Sequence, residues 1–316
     1  MISDTQCGLG ERKDSYPAKR GGQPSFLLFQ AHFAVAKSGL ALYNPSTFLK
    51  EVLAMSREFD RAKYYLDHIL KPEDKFVFQC QMCGNCCRNR SESIRLTGVD
   101  IFHIAKQLEM SMPEAVKKFT TFSIGKDSKL PLLYLRERLD GSCSLLRKGK
   151  CTVQSEKPAV CAIYPLGRMV IDKDQHYSYF TQPNYCPGDV GHTNGEALSH
   201  VPADEAQRIL NDPALKSATY SLEEWLSMFH IRPREKEHLA WNKLAMTCSD
   251  FIRKAIERTE PVEERAIEAL QAMYFHALYT DYRTDTAFLP QLQKNLAGVE
   301  ALNRAFESTT GFSGGE

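Results

Sequence analysis

The chain carries almost no net charge: 40 lysines and arginines against 39 aspartates and glutamates leave +1 at pH 7. That balance argues against a general nucleic-acid or membrane surface, since both rely on a basic excess. Missing too is any stretch approaching the roughly 20 apolar residues of a bilayer-spanning helix, so no membrane partner is expected. The nearest run, Ser25 to Ala36 after Lys19 and Arg20, is interrupted by Gln30 and His32. No small-residue cleavage site follows it, so it is not read as a secretory signal. No GxGxxG follows a strand pattern and no GxxxxGK[ST] occurs, which removes the common nucleotide-binding signatures. The nine histidines form no HxxxH or HExxH pair, and the CxxxCxxC spacing of radical S-adenosylmethionine enzymes is absent.

Cysteine is what the chain does have, ten in all. A chain of 316 residues can build a core without disulfide staples. The cysteines are clustered rather than spread, which suits a metal better than bridges between distant segments. A reducing cytoplasm is therefore the expected compartment. Phe76 to Arg88 reads FVFQCQMCGNCCR, placing Cys80, Cys83, Cys86 and Cys87 within eight residues. Each CxxC pair lets two thiolates reach one ion from a single turn, and Gly84 allows the positive φ such turns require. Adjacent residues seldom face one centre, so Cys87 is expected to serve a second ion or a bridging position. Four more cysteines follow in loop-like settings: Cys143 (DGSCSLL), Cys151 (KGKCTV), Cys161 (KPAVCAIYPLG) and Cys186 (NYCPGD). These make eight ligand candidates, enough for two four-coordinate centres. Zinc and iron–sulfur clusters both take four thiolates, and the spacing of Cys80, Cys83 and Cys86 also occurs in ferredoxins, so zinc and iron both stay open. Cys7 and Cys248 are not ligand candidates, the second because it shares an apolar stripe with Trp241, Leu244, Phe251 and Ile252.

Periodicity and punctuation predict an α+β chain. Residues 1–45 are read as a poorly ordered segment, with the part before Met55 an over-extended start. A helix covers 46–72, a loop-rich cysteine-cluster metal domain with small strands covers 73–200, and an all-helical domain covers 201–316. Within the cysteine domain, helices are expected over Val99 to Leu108 and from Pro113 to Phe119. Strands are expected at Arg95 to Thr97 and Leu130 to Leu135, with a hairpin joining Met169 to Ile171 and Tyr177 to Phe180. Beyond it, helices are expected over Asp204 to Leu210, Ser221 to Phe229, Arg234 to Ile256, Val262 to Tyr279 and Thr286 to Phe306, punctuated by prolines that include Pro233 and Pro290. Arg88, Arg90 and Arg95 are candidates for offsetting thiolate charge, and His103 and His176 are read as surface or core residues.

The order CQMCGNCC, GSC, KC, KPAVCAIYPLG and CPG resembles the YkgJ-type cysteine-cluster family, CxxCxxCC domains that chelate zinc or iron. The resemblance runs from about Phe76 to Gly188 and rests on the eight cysteines plus the Pro158, Cys161, Tyr164 and Pro165 block. It implies that all eight cysteines bind metal. Some members resemble flagellin lysine-N-methylases, which implies less about activity. Three functions follow in order of expectation: a metal-binding protein holding zinc, iron or an iron–sulfur cluster; a metal-dependent protein-modifying enzyme such as a lysine N-methylase; and a zinc module for nucleic acid. A protein partner is compatible with this reading, whereas nucleic acid is disfavoured by the charge balance.

Overall fold

The computed structural model describes residues 63, 66–79, 84–88, 94–170, 176–181, 197–199, 201–228, 230–257 and 263–310. The segment 1–45 and most of the helix expected over 46–72 lie outside them; of that helix, Lys63, Leu66 and Asp67 are described and helical. The fold is α+β, with small antiparallel sheets on the N-terminal side and long helices on the C-terminal side. Among the described residues no helix is long and apolar enough to cross a membrane.

Strand β1 (Lys75–Val77) pairs antiparallel with β9 (Thr219–Ser221). Strands β2 (Arg95–Leu96), β3 (Thr120–Ile124) and β4 (Pro131–Leu135) form a sheet of order β2-β4-β3. Two hairpins follow, β5 (Leu146–Arg147) with β6 (Lys150–Cys151) and β7 (Leu166–Val170) with β8 (Tyr177–Thr181). Helices α1 (Gly98–Gln107) and α2 (Met112–Phe119) precede the sheet's edge strand, and α3 (Ala159–Ala162) is a single turn. The rest are α4 (Ala203–Asn211), α5 (Pro213–Lys216), α6 (Leu222–Met228), α7 (Ile231–Ile256), α8 (Glu264–Tyr279) and α9 (Phe288–Thr310).

The helices start where the sequence puts caps. Thr97 and Ser111 each accept a hydrogen bond from the backbone three residues on, and the Asp100 and Glu114 carboxylates each accept one from the cap's backbone N–H. These are capping boxes, each satisfying two donors that a helix start otherwise leaves open. Pro233 and Pro290, read as punctuation, instead sit in the first turns of α7 and α9. There a missing N–H costs nothing, so α7 begins at Ile231, three residues before the expected Arg234, while α9 begins at Phe288, two residues after the expected Thr286.

Two main cores result. The first joins Leu96, Val99 and Phe102 to Trp241, Leu244, Cys248, Tyr274 and Phe288, binding α1 and the three-stranded sheet to α7, α8 and α9. The second gathers Phe76, Phe78, Ala162, Leu166 and Tyr179 around Trp225 and Leu226. Cys248 is fully buried in the first core, as its stripe predicts. The 26 residues of α7 span both, from Ile231 in the second to Ile252 in the first.

Between the cores, α7 presents polar side chains to the cysteine-bearing half. His103 lies between Glu156 and Glu237, at 3.2 and 2.8 Å, and Arg234 pairs with the same Glu156. Asn242 donates to the Tyr177 hydroxyl at 2.6 Å. His238 is buried, with Nδ1 3.4 Å from the Thr97 hydroxyl. Burial holds its imidazole well below the usual 6.5, helped by the charges of Arg168, His103 and Arg234. A base with a depressed folded pKa is full value to the fold above its unfolded pKa and loses stability below it, because the unfolded chain then binds a proton the native one refuses. Denaturant midpoints are therefore expected to fall as pH drops below 6.5, and His238→Phe is expected to flatten that slope. An unchanged slope in the variant would assign the acid sensitivity elsewhere.

Candidate metal centre

The cysteine cluster is approached from the second core. Phe76 and Phe78 pack edge-on against Trp225 at 5.4 and 5.7 Å, and the Trp225 indole donates to the Ile163 carbonyl at 3.1 Å. One indole thus braces the strand that leads to Cys80 and the turn that follows Cys161. Tyr164 packs edge-on against Phe78 at 5.8 Å, so it serves the packing of the loop. Gly84 adopts φ +73°, the positive value expected of it, and Asn85–Cys87 form a 3-10 turn. The Cys87 N–H bonds Gly84 O at 3.0 Å, and Cys87 O accepts from the Cys143 N–H at 2.8 Å. That last bond brings a cysteine 56 positions away against the cluster (143 minus 87).

Three of the later cysteines are described, and two of them are not in loops. Cys143 follows a tight turn in which Asp140 Oδ1 accepts from the Ser142 N–H and hydroxyl at 3.0 and 2.6 Å. Its Sγ accepts the Leu145 N–H at 3.4 Å. Cys151, expected in a loop, lies on β6 opposite Leu146. The connection Lys148-Gly149 has positive φ at both positions, the two-residue turn whose twist matches paired strands, and the KGKC sequence carries that signal. Cys161, also expected in a loop, sits in α3, whose first N–H groups need a partner. Asp100 supplies it: Oδ1 accepts from Ala159 N at 2.8 Å, while Oδ2 accepts from Thr97 N and its hydroxyl at 2.8 and 2.7 Å. One buried carboxylate therefore fixes the start of α1 and the turn that carries Cys161. The contact from Asp100 to Ala159 spans 59 positions and leaves no local signal in the sequence.

The sulfurs share one electrostatic neighbourhood. Cys86 Sγ and Cys87 Sγ are 3.8 Å apart. With metal–sulfur bonds of about 2.3 Å, the edge of a tetrahedral thiolate site is also about 3.8 Å, so adjacency does not force these two onto different ions. The Cys87 thiol is pushed up by its bond with Cys86, by burial and by the charges of Cys86, Cys143 and Cys161. Burial raises Cys143, against which the Leu145 and Leu146 N–H groups and Arg138 act. Burial raises Cys151, opposed by the Val153 N–H and Lys157. Cys161 is raised by burial and then by Cys143, Asp100, Cys151 and Cys86. Gathered thiolates repel one another; a divalent cation among them reverses that balance, and amide N–H donors to sulfur steady the ligated form. The donor set fits zinc or iron. Arg138 and Lys157 stand beside the sulfurs in the charge-offsetting place expected of Arg88 and Arg95, and Arg90 lies outside the described residues.

Cys86, Cys87, Cys143, Cys151 and Cys161 are thus brought near one another, and Cys87, Cys143, Cys151 and Cys161 are free thiols. Cys80, Cys83 and Cys186 lie outside the described residues, as does Cys7. Among the described residues no three His, Cys, Asp or Glu side chains are drawn closely enough to hold an ion by themselves. His103 is engaged by Glu156 and Glu237, and His176 is exposed.

Asp100→Asn places an amide donor against N–H groups that now have an acceptor. A loss of about 2 kcal/mol is expected, with metal held roughly tenfold more weakly in chelator competition because the Cys161 turn is released. Equal affinity would mean that α3 is positioned without Asp100.

A family model described as "CxxCxxCC: Putative zinc- or iron-chelating domain" matches residues 79–187. The match begins one residue before Cys80 and ends one after Cys186. No curated protein matches the chain, and no solved structure does.

Proposed function

We propose that the chain is a cytoplasmic metal-binding protein whose thiolates at Cys80, Cys83, Cys86, Cys87, Cys143, Cys151, Cys161 and Cys186 chelate zinc or iron in two four-coordinate centres. The single observation that carries this reading is the convergence of Cys86 and Cys87 with Cys143, Cys151 and Cys161 from four separate segments. The family match, which ends beside the outermost of the eight cysteines, supports it. When bound, the metal supplies cross-links between short elements that have little core of their own. The protein's part is to hold the sulfurs: the Asp140 turn and the β5–β6 hairpin set Cys143 and Cys151, and Asp100 sets Cys161.

Anaerobic purification followed by elemental analysis tests this. About two zinc ions per chain in a colourless protein, or iron with acid-labile sulfide in a brown one, is the expected result. A protein that purifies folded and metal-free, and takes up neither ion, would refute it.

One observation favours a second reading, a metal-dependent protein-modifying enzyme such as a lysine N-methylase. A cleft of about 410 Å³ has Cys151 in its wall, together with Lys157, Gln107 and His230. A centre bounded on one side by a hollow can keep a position for substrate, whereas four thiolates close it. Cobalt-substituted protein separates the two: exogenous imidazole leaves the visible spectrum of closed centres unchanged and alters that of an open one.

A further inference from the structure

Strand β3 is the outer strand of its sheet, and among the described residues nothing pairs with its far side. Arg136 N bonds Phe119 O at 2.7 Å and Gly125 N bonds Leu130 O at 2.8 Å, which fixes the alternation along the pair. The backbone groups of Phe122 and Ile124 accordingly turn away from β4, towards the open edge. Their side chains are unusual as well. Phe122 stands opposite Leu133, which is 1% exposed in the first core, yet Phe122 is 69% exposed, and Ile124 is 47% exposed. Two apolar side chains on the core-facing side of the sheet therefore overhang it uncovered.

At the start of β3 the surface changes character. A cleft of about 380 Å³ is lined by Lys118, Arg136, Arg138 and Arg147, with Glu137 the carboxylate in its wall. Arg136 donates to Thr120 O and Arg138 to Ser142 and Ser144, so both guanidinium groups are held in place. None of the four cations is in ion-pair contact with a carboxylate among the described residues. In a chain of net charge +1, this is a local concentration of one sign.

We propose that β3 and this cleft form a docking surface for an extended segment of an acidic partner protein, which adds as an antiparallel strand along β3. Its alternate apolar side chains cover Phe122 and Ile124, and the carboxylates at its C-terminal end enter the cleft. The open backbone edge and the apolar pair select a strand, and the arginines select its charge. A second copy of this chain is a poor occupant. Antiparallel pairing of two β3 strands brings the far end of one, with Lys126 and Lys129 around Asp127, against the cations of the other. A nucleic acid would use the cations and leave the strand edge and the apolar pair unmet.

Fluorescence anisotropy on the metal-loaded full chain tests the proposal without touching the cysteines. The probes are a labelled peptide alternating valine and threonine and ending in glutamates, the same peptide ending in lysines, a version of the first with proline at its centre, and oligothymidylate. The glutamate peptide is expected to bind, and the lysine and proline versions to bind at least roughly tenfold more weakly. Lys118→Glu with Arg147→Glu, two surface changes that remove no described hydrogen bond, is expected to weaken the glutamate peptide by a similar factor, and Phe122→Asp to do the same. Equal binding of the glutamate and lysine peptides, or no effect of either variant, overturns the proposal. So does oligothymidylate outcompeting the peptide, which would assign the cleft to nucleic acid, or a dimer that Phe122→Asp dissociates.

Discussion

Cys143→Ser is expected to lose about half of the bound metal and to lower stability by several kcal/mol, because ligand binding and folding are one free energy in a site that the unfolded chain lacks. A serine hydroxyl is a hard donor that stays protonated at neutral pH, so three thiolates are left where four are needed. Position 143 is chosen for its connections. Its N–H bonds Cys87 O at 2.8 Å, its Sγ accepts Leu145 N–H at 3.4 Å, its backbone bridges to Glu137, and its neighbour Ser142 bridges to Arg88. Serine preserves the backbone bonds, so the loss reads the sulfur. The control is Cys248→Ala, which removes a buried thiol from the first core. It is expected to keep all metal and to cost about 1 kcal/mol. Metal content by elemental analysis and stability by denaturant unfolding check both. Full metal in Cys143→Ser, or loss of metal in Cys248→Ala, would reverse the assignment of the two residues.

The second large effect comes from a methyl group. In a helix, glycine to alanine ordinarily stabilises by about 1 kcal/mol. Gly98→Ala is expected to destabilise by about 3 kcal/mol. A Cβ there would lie 2.1 Å from Leu278 O and 2.5 Å from Trp241 Nε1, and those two atoms are joined by a buried hydrogen bond of 2.9 Å. The added carbon wedges the bond apart, combining overpacking of about 1–3 kcal/mol with a buried donor and acceptor left unpaired. The contact is the seam between α1 and the pair α7 and α8. Gly298 in α9 provides the contrast, since a Cβ added there would have nothing within 4 Å. Gly298→Ala is expected to raise stability by about 0.5–1 kcal/mol. Thermal unfolding of the two variants checks the sign of each; a stabilised Gly98→Ala would mean that the helices separate at no cost.

Where the sequence was informative, the physics was local. The starts expected at Val99 and Pro113 lie one residue inside α1 and α2, and the residues that cap them are three apart, Thr97 with Asp100 and Ser111 with Glu114; Thr97, expected in a strand, is a cap instead. The β7–β8 hairpin and the long helices of the second half follow from alternation and helical spacing. What escaped depends on distance along the chain. β1 and β9 are three residues each and meet across about 140 positions, so neither carries a period of its own. β3 (TTFSI) runs straight out of a helix and leaves its apolar residues exposed, the reverse of what alternation signals. The cluster from Cys80 to Cys87 stands out in the sequence because its spacing is compact, but the residues that surround the described cysteines do not. Asp100 holds the Cys161 turn from another element, and Arg138 lies beside Cys143 only because a turn folds it back. The 3.8 Å between Cys86 and Cys87 sulfurs belongs to a 3-10 turn, which adjacency in sequence does not announce.

X-ray absorption at the metal edge of the purified chain tests the central claim most directly. Four sulfur scatterers at about 2.3 Å around each zinc or iron is the expected first shell. A shell of oxygen and nitrogen alone would contradict it, because the ion would then be held without the thiolates that the fold draws together.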